Sequence, residues 1–220
     1  MKTLQTNVRS LNDKELKTLA KIRSRREKEL AQPFPWAQPL FAIVLCALSL
    51  YLATWTRYDL VTFFLGLFAI FCLAFAVIRP YEYYKDRRKA RSLANRADAV
   101  LQSGVVEVAA VTAKQVALAK ASGDESDLYI IEMDKGNILY MWDTFGNLKK
   151  NFPCLQFEIY SDDFASLIGR QVSPLSEKIK PIVLDPKAIP NYFNKAGEPV
   201  HLAMERKNFE KLIERINNSR

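Results

Sequence analysis

The chain has 220 residues, 49% of them hydrophobic, which leaves room for one modest domain beside any membrane segment. Its net charge of +8 is unevenly held: residues 1–104 carry 17 Lys and Arg against 8 Asp and Glu, whereas residues 105–220 carry 15 against 16. A basic excess beside apolar stretches points to anionic lipid, and the near-neutral second half argues against a nucleic-acid partner.

Residues 1–10 are polar and are expected to be disordered. Asn12 with Glu15 three residues on is a capping-box pattern, and Asp13 and Glu15 suit the positive end of a helix dipole, so a helix is predicted over 13–31. Leu16, Leu19, Ala20, Ile22 and Leu30 make only a thin apolar stripe among Lys, Arg and Glu. This suits an amphipathic helix on a membrane surface, and equally a solvated helix or one packed on the soluble domain. Pro33, Pro35 and Pro39 end it and re-aim the chain, so that residues 1–35 read as a basic helix with a Pro-rich linker.

Two uncharged apolar stretches follow, residues 36–55 and 60–78, separated by Thr56-Arg57-Tyr58-Asp59. Each is close to the ~20 residues a helix needs to cross a hydrocarbon core. The short connection forces them antiparallel, so 36–78 is predicted to be a transmembrane helical hairpin. Two such runs back to back, with aromatics near their ends, fit this better than a pair of buried core helices. Trp36, Trp55, Tyr58, Tyr81, Tyr83 and Tyr84 are expected to sit at the membrane interfaces. Arg23, Arg25, Arg26 and Lys28 before the hairpin, and Arg79, Lys85, Arg87, Arg88 and Lys89 after it, are expected to meet anionic lipid headgroups. Because the loop holds only Arg57, the positive-inside rule places both termini in the cytoplasm, with a bacterial inner membrane as the expected location. The first apolar run begins too far in, and runs too long, for a cleaved signal peptide, so it is expected to stay as an anchor.

No ionisable residue lies within either apolar stretch, which removes the usual mark of a proton relay or ion path. Ser49 and Ala53 form a small-xxx-small pair and Gly66 offers a further close-approach point, for packing within one hairpin or between hairpins of a homo-oligomer. Cys46, Cys72 and Cys154 contain no CxxC, which argues against a disulfide framework or zinc site and fits a reducing compartment.

Arg79-Pro80 marks the expected end of the second span. A new helix is predicted over 81–102, its stripe of Ala90, Leu93, Ala94, Ala97, Val100 and Leu101 docking on the soluble domain or a neighbouring subunit, with Gly104 as its cap. Residues 79–104 therefore form a juxtamembrane basic helix, and 105–220 a cytosolic β-rich domain.

From residue 105 the period shifts towards two. Strands are predicted at 105–111, 115–120, 128–133, 138–143, 155–160, 181–184 and 200–204, with a polar loop over 122–127 and a turn at Asp134-Lys135-Gly136-Asn137. An amphipathic helix over 205–217 closes the chain. The fold class is α+β: a transmembrane hairpin followed by a small antiparallel sandwich or half-open barrel, with the closing helix over one end.

That strand count and order resembles the pleckstrin-homology-like fold, and SH3-like or other α+β barrels share it. Locally, Asp134-Lys135-Gly136-Asn137-Ile138-Leu139-Tyr140-Met141-Trp142, then Asn151-Phe152-Pro153 and Phe157-Glu158-Ile159, resembles bacterial membrane proteins that join a β-rich cytosolic segment to a two-helix hairpin. The resemblance implies that architecture and carries no activity with it.

Catalytic groups are sparse. His201 is the single histidine, Cys154 would need it as a base, and no feature brings the two together. Asp124, Glu125 and Asp127 read as a solvated loop, and Asp162 and Asp163 as a helix start capped by Ser161. Asn217-Asn218-Ser219 matches a glycosylation sequon that a cytoplasmic terminus would never present. No cofactor or metal site is expected, since the sequence has neither a P-loop nor GxGxxG. The leading expectation is a membrane anchor for a domain that binds a protein or a lipid headgroup. A subunit of an oligomeric channel or transporter complex, and a membrane-bound enzyme using Cys154 or an acidic pair, are the alternatives.

Overall fold

A computed structural model describes residues 4–120, 126–186 and 188–219. In chain order the elements are β1 (Asn7–Ser10), α1 (Asp13–Ala31), α2 (Ala37–Trp55), α3 (Asp59–Ser103), β2 (Val105–Thr112), β3 (Gln115–Ala119), β4 (Leu128–Glu132), β5 (Asn137–Trp142), β6 (Gln156–Tyr160), α4 (Asp162–Ile168), β7 (Val172–Pro174), β8 (Ile182–Val183), α5 (Ala188–Ala196), β9 (Met204–Arg206) and α6 (Phe209–Asn217). The architecture is α+β, with two long apolar helices, antiparallel sheets and a C-terminal helix. It divides into a helical unit, Lys17–Gln102, and a β-rich unit made of the residues up to Leu16 together with those from Ser103 onward.

The β-rich unit is thus built from both sides of the helical insertion. Its four-stranded sheet runs β1-β2-β6-β7 and its five-stranded sheet β8-β3-β4-β5-β9. Neighbours are antiparallel except β3 with β8. The chain changes sheet between two adjacent residues: the Ala113 amide donates to Leu155 O, and the Lys114 amide to Glu132 O. Between the sheets Val111, Phe157, Ile159 and Val172 meet Val116, Tyr129, Ile131, Leu139 and Met141. Phe152 stacks edge-on between Tyr129 and Phe157, with ring centroids 4.9 and 5.0 Å away.

On its other face the five-stranded sheet carries Ala117, Leu128, Ile130, Ile138 and Tyr140 beneath Phe193 of α5 and Phe209, Leu212 and Ile216 of α6. A sheet covered on both faces needs apolar residues at consecutive positions, which is why β4 and β5 read as unbroken runs rather than as alternation. The closing helix therefore lies on a sheet face rather than over one end. It starts at Phe209, later than the predicted 205, because Met204–Arg206 pairs with β5 and Asn208 then caps the helix by accepting from the Lys211 amide at 2.9 Å.

Several expectations need correction. The first ten residues are not wholly disordered: Asn7–Ser10 is a strand paired with β2 in the register Asn7↔Val108 to Ser10↔Val105. Residues 1–3 lie outside the described residues, as does most of the predicted 122–127 loop. The strand β7 and the helix α5 have no counterpart among the predicted elements. Ser161 stands at the N-cap of α4 but makes no side-chain capping bond. The predicted break at Arg79-Pro80 does not occur, and α3 runs through Pro80 as one helix of 45 residues. Proline removes one backbone donor, a loss that the remaining bonds of so long a helix outweigh.

Candidate functional site: the apolar helix pair and its basic flank

Both helices are long and apolar enough to cross a membrane. α2 has 19 residues, a rise of about 28 Å. They join through Thr56-Arg57-Tyr58 and pack along a seam of small residues: Ala42 and Ser49 of α2 and Ala69 and Cys72 of α3 are buried, and Ala53 is half-buried. Such residues let two helix backbones approach closely. Ser49 Oγ–H donates to Leu45 O at 2.8 Å, so its hydroxyl is satisfied within its own helix. Gly66 is half-buried with nothing within 4 Å of where a Cβ would stand, so the seam does not need a glycine there.

Away from the seam the large side chains point outward. Phe41, Val44, Leu60, Phe63, Ile70, Phe71 and Val77 are each 62–72% exposed. Apolar surface that surrounds a helix pair far exceeds the few hundred Å² patch of an ordinary soluble monomer. Near one end the two helices leave a groove of about 850 Å³ walled by Phe41, Leu45, Phe71, Phe75 and Ile78, with Gln38, Arg79 and Glu82 also lining it.

Of the aromatics singled out in the sequence, Trp36, Trp55, Tyr58, Tyr81 and Tyr84 are exposed, and Tyr83 is half-buried. Tyr83 Oη–H donates to Gln32 O at 2.8 Å, and its ring meets Phe34 edge-on at 4.8 Å. Arg87 is likewise turned inward: Nη2–H donates to Leu30 O at 2.6 Å and Nη1–H to Tyr83 Oη at 3.1 Å, with the guanidinium 5.6 Å from the Tyr83 ring. These two residues hold the last turn of α1 and the Pro-rich link against α3. Arg23, bonded to Asp98 at 2.9 Å, makes a second tie between α1 and α3. Leu19, Ala90, Ala94 and Ala97 are buried. The helix α1 therefore packs along α3.

The other cations divide into two groups. Arg23, Arg25 and Arg26 pair with Glu27 or Glu29 on their own helix, and Arg79 lies 3.3 Å from Gln38 Oε1 and 3.8 Å from Glu82. Exposed pairs of this kind add little to stability and leave the charge available to solvent. Lys28, Lys85, Arg88 and Lys89 are exposed and have no ion-pair partner among the described residues.

In the β-rich unit, Cys154 and His201 do not share partners. Cys154 is fully buried, and burial pushes its thiol pKa up, opposite to what a nucleophile needs. His201 Nδ1 accepts from the Trp142 amide at 3.1 Å, and its Nε2 stands 3.3 Å from Gln171 Nε2. No group of three or more metal-binding side chains occurs among the described residues.

Sequence reasoning missed the cluster around Glu15. Its carboxylate accepts from the Asn12 amide at 2.8 Å while Asn12 Oδ1 accepts from the Glu15 amide at 2.9 Å, completing the predicted capping box. The same carboxylate accepts from Arg9 at 2.7 and 2.9 Å and from Tyr160 Oη–H at 2.6 Å, and Arg9 reaches on to Glu158 at 2.6 Å. Pairing of β1 with β2 and of β2 with β6 places Arg9, Val106, Val108, Tyr160 and Glu158 on one face of the sheet.

No family model, curated protein or solved structure matches this chain.

Proposed function

We propose that the chain is an integral membrane protein in which α2 and the apolar part of α3 form a transmembrane hairpin that anchors a cytosolic β-rich binding domain. The observation that carries this reading is the surround of exposed Leu, Ile, Val and Phe on two helices of spanning length, which water would not tolerate and lipid would. Strand β1 precedes the hairpin and pairs with β2, which follows it, so a crossing hairpin would keep both ends of the chain on one side. The unpaired Lys28, Lys85, Arg88 and Lys89 support a cytoplasmic location for that side and contact with anionic headgroups at roughly 1 kcal/mol each. Trp36, Tyr81 and Tyr84 at one end, and Trp55 and Tyr58 at the other, supply interfacial aromatics. The domain acts by recruitment: tethering raises its effective concentration for a partner at the membrane surface.

Membrane-impermeant labelling of single cysteines tests the topology. In inside-out vesicles of the inner membrane, a cysteine placed at Ser10 or at Ser219 reacts, whereas one placed at Arg57 reacts only in right-side-out spheroplasts. Release of the protein from membranes by alkaline carbonate would overturn the anchor.

A further inference from the structure

The loops that join β5 to β6 and α4 to β7 flank a half-open cavity of about 190 Å³ in the β-rich unit. Asn147, Lys150, Asn151 and Arg170 line it, with Phe152 and Val172 among its apolar walls. One bond ties the two loops together: Asn147 Nδ2–H donates to Gly169 O at 2.6 Å. Gly169 caps α4 with φ +65°, a left-handed turn that leads straight into Arg170. The first loop is fixed from beneath by the buried Asp143 carboxylate, which accepts from the amides of Asn147 and Leu148 at 3.1 and 3.2 Å.

Two of the basic residues at these loops are already engaged and two are not. Lys149 is neutralised by Asp127 at 2.9 Å, and Lys178 donates to Lys149 O. Lys150 and Arg170 have no ion-pair partner among the described residues, and the Asn151 side chain has no hydrogen bond there. Two unpaired cations and a free amide around a concave site on a pre-formed frame are the chemistry that holds an anion. The space equals that of about six waters at ~30 Å³ each. It is smaller than the ~300 Å³ at which pockets for larger ligands begin, so it suits one phosphate group rather than a nucleotide or dinucleotide.

We propose that this cavity binds a phosphate ester, as a free small phosphate or as the headgroup of an anionic phospholipid. The inference rests on the reading of the β-rich unit as a binding domain and names its ligand class. It does not require the topology proposed for the hairpin.

The test uses the full chain in non-ionic detergent micelles and follows its thermal unfolding midpoint. The probes are inorganic phosphate, glycerol phosphate and water-soluble dihexanoyl phosphatidylglycerol, against dihexanoyl phosphatidylcholine and sodium chloride of matched ionic strength. A saturable rise of about 2–4 °C is expected with the three anionic probes and not with phosphatidylcholine, whose choline balances its phosphate charge; an equal rise with phosphatidylcholine overturns the proposal. A rise with all three assigns the site to phosphate itself, and a rise with phosphatidylglycerol alone assigns it to the lipid headgroup. The double variant K150Q/R170Q is expected to need at least tenfold more probe, while K195Q/K211Q, on exposed helix positions, behaves as the parent. No rise in the parent, or an equal rise with sodium chloride or in K150Q/R170Q, overturns the proposal. Should the variant fail to fold, phosphorus NMR on the parent chain replaces it: saturable line broadening of the phosphate probes supports the site, and unbroadened lines overturn it. Failure of the cysteine-labelling experiment would sink the anchor and leave this result standing.

Discussion

Glu15 ties the N-terminal strand to the start of α1. Burial raises the energy of its charge, but donation from Arg9, Tyr160 and the Asn12 amide outweighs it, so its carboxyl titrates below the ordinary range. Burial, with Glu15 as acceptor, pushes the Tyr160 phenol up to about 12. A depressed carboxyl contributes stability that is present above its unfolded pKa and is lost as pH falls through the folded one. Glu15→Gln is expected to lower stability by about 2 kcal/mol at neutral pH and by less in acid, as read by chemical unfolding of the full chain at pH 7 and pH 3. An equal loss at both values would show that the charge is immaterial. His201 has the same sign by a different route. Burial lowers its pKa, with Asp162 weakly opposing, so the folded chain prefers the neutral ring that accepts from the Trp142 amide. Stability is therefore complete above about pH 6.5 and falls as pH drops below it. An NMR titration should put the ring midpoint under 6.5, and His201→Gln should flatten that part of the pH profile; a midpoint above 6.5 contradicts the burial account.

Among the elements, α1 is held by its last turn. Helix C-termini leave carbonyls without partners, and Arg87 and Tyr83 of α3 answer those of Leu30 and Gln32. Arg87→Met removes the donor and keeps much of the stem, so amide exchange over residues 27–31 should speed up about tenfold, an opening cost of ~1.4 kcal/mol, with β6 unchanged. Unaltered exchange would mean that apolar packing alone fixes α1. The seam of α2 and α3 depends on size rather than on polarity. Ala69→Leu should splay the pair and cost about 1–3 kcal/mol in a denaturing-detergent titration, whereas Leu60→Ala, at a 72% exposed position, should cost far less. The start of α1 was legible because a capping box is a contact between residues three apart. The passage of α3 through Pro80 was not, since a local rule about one missing donor cannot weigh the length of helix on either side.

At the scale of the molecule, the β-rich unit is discontinuous in sequence. Residues 103–220 expressed without the first sixteen should be less stable, because β2 loses its partner β1 and Tyr160 and Glu158 lose Arg9 and Glu15. A peptide of residues 4–16 added in excess should restore part of the loss in a thermal melt. If it adds nothing, the N-terminal strand is dispensable. The same pairing makes any crossing of a membrane an even number of passes between β1 and β2, since one sheet cannot form across a bilayer.

The sequence by itself determined what is local or compositional: two apolar helices of spanning length, the basic flanks, the capping box, the β4–β5 turn at Gly136 and most strands after residue 105. Periodicity, caps and charge are written into neighbouring residues, so they can be read without the fold. Only the tertiary structure decided that Asn7–Ser10 is a strand, that α1 lies on α3 through Arg87 and Tyr83, that Glu15 gathers Arg9 and Tyr160, and that Lys150 and Arg170 line one cavity. Each of these joins residues far apart in the chain, as in the pairing of Asn7 with Val108. Their stability comes from burial and bonds that exist only once both partners are in place, and no window of sequence holds both.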